Sequence, residues 1–592
     1  MKNIEKILFA VALLSMLHFP LASLQAQEGN TYNESVVVKG SYKPVIDESR
    51  KLTFPAVVTD TLGRMEHSFQ YSISPVRLKA LYEPSRIKAA RIIGEPATRL
   101  YNNYFRIGFG NYWSPLADLY WSSTRDQKKT YGIRINHRSS WGSISSDNPA
   151  ENYGKNHFGR TGVVLFGKYI IGDLLQLSSD LDYEHDHNLY YGFTDSILTA
   201  RSGGLTRDDI SINDYRIGYN LASWNIGLRN MQLDANKLGY SANLHLSDLW
   251  ATYGQNQFAL NLSGDIHYGF NIKNQYKGVA FLHAEWESHS HSVKPNFTAD
   301  LPVGYNGVAV WDTVRGWGNI IKVNPYADFM LGGLQFHAGV LGAWDAFTDH
   351  DSSKILIFPD VTVSKKFFNE AIVVSLGATG NVDANNWNTL RLINPYIAPG
   401  AEQRATSHYD FAAHMRWSLS KKLEANFDVS YSLLKNDLTF CIDSNFIYSN
   451  VYKPHYFDNN RLTVGGDIAF VNDEMLTLRA GGHYYNYSLP DDDTLLLYRP
   501  DWDALLAADL NYHDKWFFHL EGRLMGSVNA DGGEQLPLRY GINAEVEYRH
   551  NRALSFFLKM DNLAFQRYYY WANYPSQRGL FIVGLTYTIP HK

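Results

Sequence analysis

The feature that most constrains this chain is a long, repeated alternation of apolar and polar residues. In 423–433, six apolar side chains alternate with five polar ones, and 461–470 and 542–549 follow the same pattern. Successive side chains of a β-strand point to opposite faces, so each segment has one apolar and one polar face. Strands of soluble sandwiches average five or six residues, whereas a tilted strand needs about ten to cross a bilayer. The pattern therefore predicts an all-β fold, a transmembrane antiparallel β-barrel.

The spacing of turns predicts the number of strands. Short polar turns alternate with longer connections, and successive short turns lie roughly 36–52 residues apart. The residues from Leu100 to the end then form about eleven hairpins, or about 22 strands, an even number as barrels require. The short turns are at 420–422, 472–474, 513–515 and 551–552, and the longer connections are at 434–459, 487–500, 527–536 and 564–579.

A barrel in lipid must close on itself, because lipid offers no partner for backbone N–H and C=O groups at an open edge. The last strand predicted to complete it presents apolar residues at period two: Phe581, Val583, Leu585, Tyr587 and Ile589. Aromatic residues make up 14% of the chain, and Tyr101–Trp113 and Tyr568–Tyr574 are predicted to lie in the two interfacial girdles. The long connections, for example 382–406 and 445–458, are predicted to form an outer binding surface.

The N-terminal residues predict export. Residues 1–26 are typical of a secretory signal, with Lys2 and Lys6 before the apolar run Ile7–Leu17 and a small residue at Ala26. Beyond them no stretch approaches the roughly 20 apolar residues of a spanning helix. We therefore expect a signal peptide at 1–26, an N-terminal arm at 27–99, and an outer-membrane barrel at 100–592 with both termini on the periplasmic side.

Composition excludes several classes of protein. The net charge of −5 leaves no basic surface for nucleic acid, and a single cysteine, Cys441, excludes a disulfide scaffold or a Cys-based zinc site. No serine-hydrolase elbow, Walker loop or His-Glu-x-x-His motif is present. The sequence thus predicts a protein that is not an enzyme and that needs no cofactor.

One strand carries a row of carboxylates on its polar face. Leucines and Tyr183 occupy the opposite face, and charged groups are unfavourable in lipid, so the row must face the lumen or lie above the membrane. Three interpretations are open: an ordinary polar lumen wall, ion pairs with lysines of the N-terminal arm, or a cation site. This lumenal acidic ladder consists of Asp180, Asp182, Glu184 and Asp186.

A second row combines imidazole and carboxylate, which are ligands for zinc, copper or nickel. Residues two apart on a strand lie ~6.5–7 Å apart, too far for simple chelation unless the strand bends. The alternatives are therefore metal binding and an ordinary polar face. The row is His283, Glu285, Glu287, His289 and His291.

The two ends of the predicted barrel resemble TonB-dependent-receptor-like barrels of the Bacteroidetes type. Asp561–Trp571, Tyr574–Pro575 and Arg578–Tyr587 resemble the hairpin that closes such 22-strand barrels, and Leu100–Tyr112 resembles their start. Two departures are the order Arg578-Gly579, reversed relative to the family pattern, and the end Ile589-Pro590-His591-Lys592 in place of an aromatic residue. The resemblance implies an outer-membrane receptor that binds or imports a large solute.

The N-terminal arm differs from that family, whose members carry a plug domain of about 150 residues. Residues 27–99 are too few, and their prolines indicate an extended segment instead. The segment 34–40 is similar to a TonB box, which would bind TonB by adding a strand; it can equally be the first lumenal strand of the arm. The candidate box residues are Glu34, Ser35, Val36, Val37 and Val38.

Charge suggests where the arm lies. Residues 31–100 hold 11 Lys/Arg against 7 Asp/Glu, a net of +4, and residues 101–592, the barrel, hold 41 against 50, a net of −9. Opposite potentials favour docking of the arm inside the lumen. We therefore expect a receptor or transporter, in contact with outer-membrane lipid and with TonB. The alternatives are a structural or assembly barrel that partners a surface lipoprotein or secretion machinery, and an open porin. The substrate is unknown from sequence.

Overall fold

The computed structural model describes residues 101–590 apart from short gaps at 124–125, 127, 173, 232–237, 273–275, 294–313, 348–352, 447, 473–474 and 490–495. The predicted signal peptide, the N-terminal arm and the candidate TonB box lie outside the described residues.

Twenty-two antiparallel strands form one sheet that closes on itself. The first strand pairs with both the second and the last, with Phe105 opposite Tyr587 across the closing seam. The predicted all-β barrel and the predicted number of strands are therefore confirmed. In chain order the strands are β1 Tyr101–Gly110, β2 Ser114–Ser122, β3 Lys129–Ser140, β4 Phe158–Ile171, β5 Leu175–Leu189, β6 Arg216–Asn230, β7 Gly239–Ala251, β8 Gln255–Ile272, β9 Tyr276–Val293, β10 Val314–Leu331, β11 Leu334–Asp345, β12 Lys354–Phe367, β13 Ile372–Asn385, β14 Arg404–Ser420, β15 Leu423–Ile442, β16 Tyr452–Asn472, β17 Leu476–Ser488, β18 Trp502–Tyr512, β19 Trp516–Met525, β20 Arg539–Arg549, β21 Leu554–Asp561 and β22 Leu580–Pro590.

The two rims of the barrel differ. The rim that holds Tyr101 and Pro590 has short connections, from two residues at 421–422 to eight at 231–238. At the opposite rim the connections reach 26 residues at 190–215. We call these the short-turn rim and the long-loop rim. Within the described residues, two short α-helices lie in long-loop connections, α1 Asp195–Arg201 and α2 Trp387–Ile393.

The outer wall is apolar and the lumen wall is polar, as the alternation requires. On the closing strand β22, Val583, Tyr587 and Ile589 point outward, while Ile582 on the opposite face is buried against the start of the barrel. Large apolar side chains are exposed all round the exterior, including Leu165, Leu181, Trp224, Leu262, Leu282, Phe427, Leu506 and Leu520. Such an exterior is stable in lipid and unstable in water. No helix among the described residues is both apolar and long enough to cross a membrane.

The girdle prediction is only half right. Trp113 is 74% exposed at the turn after β1, a position suited to an interface. Tyr568–Tyr574, however, lies in the connection 562–579, and Tyr574 is buried in an apolar cluster. That part of the prediction is wrong, because aromatic residues beside a strand end can pack against other loops as well as against lipid.

Candidate functional site

Six connections at the long-loop rim meet one another across the barrel mouth. With the adjoining strand ends they share one buried apolar cluster, which we call the loop layer. The connections are 141–157, 190–215, 252–254, 386–403, 443–451 and 562–579. The strands that carry them are widely separated around the barrel: 190–215 follows β5, whereas 386–403 follows β13. The buried members of the loop layer are Ile144, Leu189, Tyr190, Tyr191, Tyr215, Ile217, Tyr219, Leu249, Tyr253, Val293, Trp387, Leu390, Ile397, Ala398, Ala401, Leu438, Phe440, Phe446, Val451, Tyr452 and Tyr574.

Helix α2 brings one connection against strand β8, which is not a neighbour of the strands that carry the helix. Asn386 caps it by accepting a hydrogen bond from the Thr389 N–H, the usual role of asparagine at a helix start. Trp387 and Leu390 are buried. The Trp387 backbone N–H donates to Oε1 of Gln257 on β8, at 2.8 Å, so a free donor at the helix start is satisfied by the wall.

Tyrosine hydroxyls join the loops to one another. Tyr190 donates to the carbonyl of Ile397 at 2.6 Å, and Tyr191 donates to the carbonyl of Pro575 at 2.9 Å. Tyr452, at the start of β16, donates to the carbonyl of Ala572 at 2.6 Å. Each bond crosses from one connection or strand end to another connection, so the buried carbonyls of irregular backbone are paired.

The ring of Tyr574 lies at the centre of the loop layer. It stacks on Tyr396 with ring centroids 3.6 Å apart and meets Tyr191 edge-on at 4.9 Å. Its hydroxyl donates to the carbonyl of Asn450. Burial raises the pKa of Tyr574 and of Tyr191 well above the usual value, and raises the pKa of Tyr396 to about 12. The three hydroxyls therefore stay protonated throughout the physiological range.

This arrangement corrects the prediction for 382–406 and 445–458. Neither range is only a surface loop: the first begins within β13 and ends within β14, and the second runs into β16. Between those strands the chain folds inward, with Trp387 and Phe446 each under 3% exposed. Much of the predicted outer binding surface is thus buried within the loop layer.

The acidic ladder lies on β5 and meets the loop layer at its upper end. Arg391 of α2 reaches Glu184 at 3.2 Å and Asp186 at 3.4 Å. Arg160 on the neighbouring strand holds Glu184 from the other side at 2.7 Å. The Arg391 side chain is nearly inaccessible to solvent, so two acids of the ladder act as an anchor for α2. The sequence alone does not single out Arg391 as an anchor. The pattern that could have indicated it is a helix start of the type Asn-x-x-Thr, at Asn386 and Thr389, followed by the arginine.

The lower half of the ladder has polar neighbours instead. Asp180 faces Asn225 across the strand pair, and Asp182 faces Ser223. Arg134 and Arg160 are the cations that act electrostatically on Asp182. The described residues thus give the ladder polar neighbours and a loop arginine, Arg391. Pairing with lysines of the N-terminal arm falls outside the described residues and stays a prediction.

The histidine and carboxylate row lies on β9, and its members make separate contacts. Nδ1 of His283 lies 2.7 Å from Asp265, and Glu285 accepts from Asn261 and pairs with Lys322. Glu287 and His289 contact each other at 2.6 Å, and the His291 ring lies against Trp387. Within the described part of the chain, no three such side chains are grouped to hold a metal ion. Metal binding by this row stays a prediction for titration.

A cavity of about 1030 Å³ lies beneath the loop layer. Its walls combine strand residues such as Arg138 and Asp561 with loop residues such as Tyr396 and Gln577. Leu392 and Ile393, at the end of α2, are each at least half exposed and line it. The cavity, which we call the chamber, is partly open, and loop-layer residues such as Tyr191 and Tyr574 form part of its wall.

Comparison with solved structures identifies the fold. The ferric-catecholate import receptor Fiu from K12 E. coli, in its closed form, superposes with a TM-score of 0.57 at 10% identity, covering 83% of this chain and 82% of that one. A point mutant of the ferric enterobactin receptor PfeA from Pseudomonas aeruginosa gives 0.60 at 11%, covering 82% and 80%. The siderophore receptor PirA from Acinetobacter baumannii gives 0.61 at 9%, covering 84% and 81%. No protein-family model and no curated protein match the sequence. The chain thus shares the barrel fold of these three receptors.

Proposed function

We propose that this chain is an outer-membrane receptor and transport barrel that binds or imports a large solute, and that the described structure is its closed state. The observation that carries the proposal is the loop layer: a wide polar lumen whose mouth is crossed by interlocked loops with a buried tyrosine core. A barrel of 22 strands would otherwise leave a wide aqueous hole.

The orientation we propose follows from the two rims. In outer-membrane barrels the short turns face the periplasm and the long loops face outward. Both described chain ends, Tyr101 and Pro590, lie at the short-turn rim, so we assign both termini to the periplasm. The solute then meets the loop layer first.

We further propose that residues 27–99 dock inside the lumen and that Glu34–Val38 bind TonB by strand addition. The support is the net charge of +4 for residues 31–100 against −9 for the barrel. On this proposal the protein belongs to a Bacteroidetes type of receptor-like barrel without a full-length plug. The loop layer and the arm then form two barriers in series.

The loop layer argues against the open-porin alternative and leaves the assembly barrel as the competing function. Planar-bilayer recordings separate the three. A large steady current through the full chain indicates a porin. If the chain is a receptor, we expect no current through the full chain. Channel openings should appear only when 31–99 is deleted and the loop layer is also weakened.

The assembly function predicts a different outcome. Such a barrel would stay silent in every variant and would co-purify with a surface lipoprotein. Substitution of Val36–Val38 should abolish solute uptake while leaving barrel assembly intact if the segment is a TonB box. Unchanged uptake would refute that assignment without touching the barrel itself.

A further inference from the structure

The chamber beneath the loop layer has an unbalanced set of charges. Four arginines and three aspartates line it: Arg138, Arg499, Arg539, Arg578, Asp383, Asp437 and Asp561. Arg138 pairs with Asp561 at 2.5 Å and Arg499 pairs with Asp437 at 3.0 Å. Asp561 also meets Lys559 at 3.6 Å, and Asp383 lies 3.7 Å from His408. The acids are thus already engaged, and the charge left over is positive.

The four arginines against three aspartates leave a formal charge of +1, and two of the arginines lie outside these pairs. Arg539 contacts the Met525 sulfur and lies 4.6 Å from the centroid of the Tyr570 ring. Arg578 is exposed at the chamber wall. Among the described residues neither forms an ion pair with a carboxylate. A guanidinium that is half-buried beside aromatic rings and has no anionic partner is a ready site for a ligand anion.

The rest of the wall suits a hydroxyl-rich ring compound. Tyr568, Tyr570 and Trp571 present ring faces and edges on which a sugar can stack. Asn562 is 5% exposed, and its Oδ1 has no hydrogen-bond donor among the described residues. Buried polar atoms are normally satisfied, so this carbonyl oxygen can accept from a ligand hydroxyl. The amide of Gln577 adds further hydrogen-bonding capacity.

We propose that this chamber binds a carboxylated oligosaccharide, with Arg539 holding the carboxylate, Tyr570 and Trp571 contacting the sugar rings, and Asn562 accepting a hydroxyl. The inference rests on the proposed function, since it names the class of solute that the receptor recognises. The chamber volume of about 1030 Å³ lies at the upper end of the range of ligand pockets and leaves room for more than one sugar ring.

Other occupants fit the chamber less well. A neutral oligosaccharide would leave Arg539 without an anion, and an aromatic acid would leave the amides of the wall without hydroxyls. The N-terminal arm carries a net charge of +4, so it would add positive charge beside Arg539 and Arg578. A hydroxylated ring that carries a carboxylate supplies an anion to Arg539 and hydroxyl groups to the amides of the wall.

The test is calorimetric titration of the full chain in detergent with three probes: trigalacturonic acid, the neutral maltotriose and benzoate. We expect saturable binding of trigalacturonic acid only. Arg539→Gln should weaken it by about 10-fold or more, the usual effect of removing a charge-assisted contact. Arg578→Gln should weaken it less, because that side chain is more exposed.

The matched control is Arg416→Gln, which removes the same charge from lumen-facing β14 outside the chamber. It should leave binding unchanged, and retention of the heat-resistant barrel on gel electrophoresis shows that each variant is folded. Equal binding of maltotriose or benzoate, equal loss in Arg416→Gln, or absence of binding would each overturn the proposal. Binding without uptake in cells would instead contradict the transport function and leave the binding site intact.

Discussion

The ring of Tyr574 offers the sharpest test of the closed mouth. Tyr574→Ala removes a side chain that is 3% exposed and stacks on Tyr396 at 3.6 Å. Truncating a buried aromatic residue costs about 3–5 kcal/mol, and the lost bond to the Asn450 carbonyl is included in that range. Since about 1.4 kcal/mol is tenfold, the open fraction of the loop layer should rise by about two to three and a half orders of magnitude.

Single-channel recording in planar bilayers measures this fraction directly in a chain that lacks 31–99, where the loop layer is the remaining barrier. Tyr574→Phe keeps the ring and removes only one hydrogen bond, worth about 1 kcal/mol, so its openings should increase only about fivefold. Phe565→Ala, in the same connection but 52% exposed, is the matched control and should remain silent. The same substitutions in the full chain should stay silent, because the docked arm still blocks the lumen. A large steady current from the chain that lacks 31–99 but keeps Tyr574 would show that the loop layer is no barrier.

Three further outcomes follow from individual contacts. Burial raises the pKa of Tyr396 from 10.0 to about 12, so between these pH values the closed loop layer keeps a proton that the opened layer loses. The resulting stabilisation of the closed layer is complete below pH 10 and is lost as pH rises toward 12. Tyrosinate absorbance and channel openings should therefore increase together over this range. Arg391→Gln leaves Glu184 and Asp186 without their buried partner, so protease should cleave 386–403 at least 10-fold faster. The control Arg404→Gln removes a solvent-exposed pair and should change the rate of cleavage little. A Cβ on Gly132 would lie 2.3 Å from the Trp121 carbonyl oxygen and 2.4 Å from the Phe166 ring, so Gly132→Ala should lower the yield of heat-resistant barrel. A Cβ on Gly167 would lie 3.9 Å from its nearest neighbour, so Gly167→Ala should leave that yield unchanged.

The barrel itself is accessible from sequence because its constraint is local. The residues from Leu423 to Leu433 alternate in a way that only a strand with one lipid-facing side explains, and lipid then requires the sheet to close. Counting short turns predicts the number of strands for the same reason. Each step uses residues that are neighbours in the chain.

The loop layer is not accessible from sequence because its contacts join distant residues. Tyr190 and Ile397 are 207 positions apart, and Tyr452 and Ala572 are 120 apart. A tyrosine beside a strand end has the same local signature whether it meets lipid or another loop, which is why the sequence pattern assigns Tyr574 to the girdle. Arg391 likewise gives no periodic signal, since a helix of seven residues is too short for one.

The choice of tyrosine in the loop layer has a physical reason that bears on opening. Irregular loops that pack together bury carbonyl groups which no regular strand or helix can pair. A phenylalanine would fill the same space and leave those carbonyls unpaired, whereas Tyr190, Tyr191 and Tyr452 each donate to one across the layer. When the loops separate, water can take over every such bond, so opening requires mainly the exposure of ring surface. A layer built in this way is tight when closed and yet can open without breaking any strand pairing of the barrel.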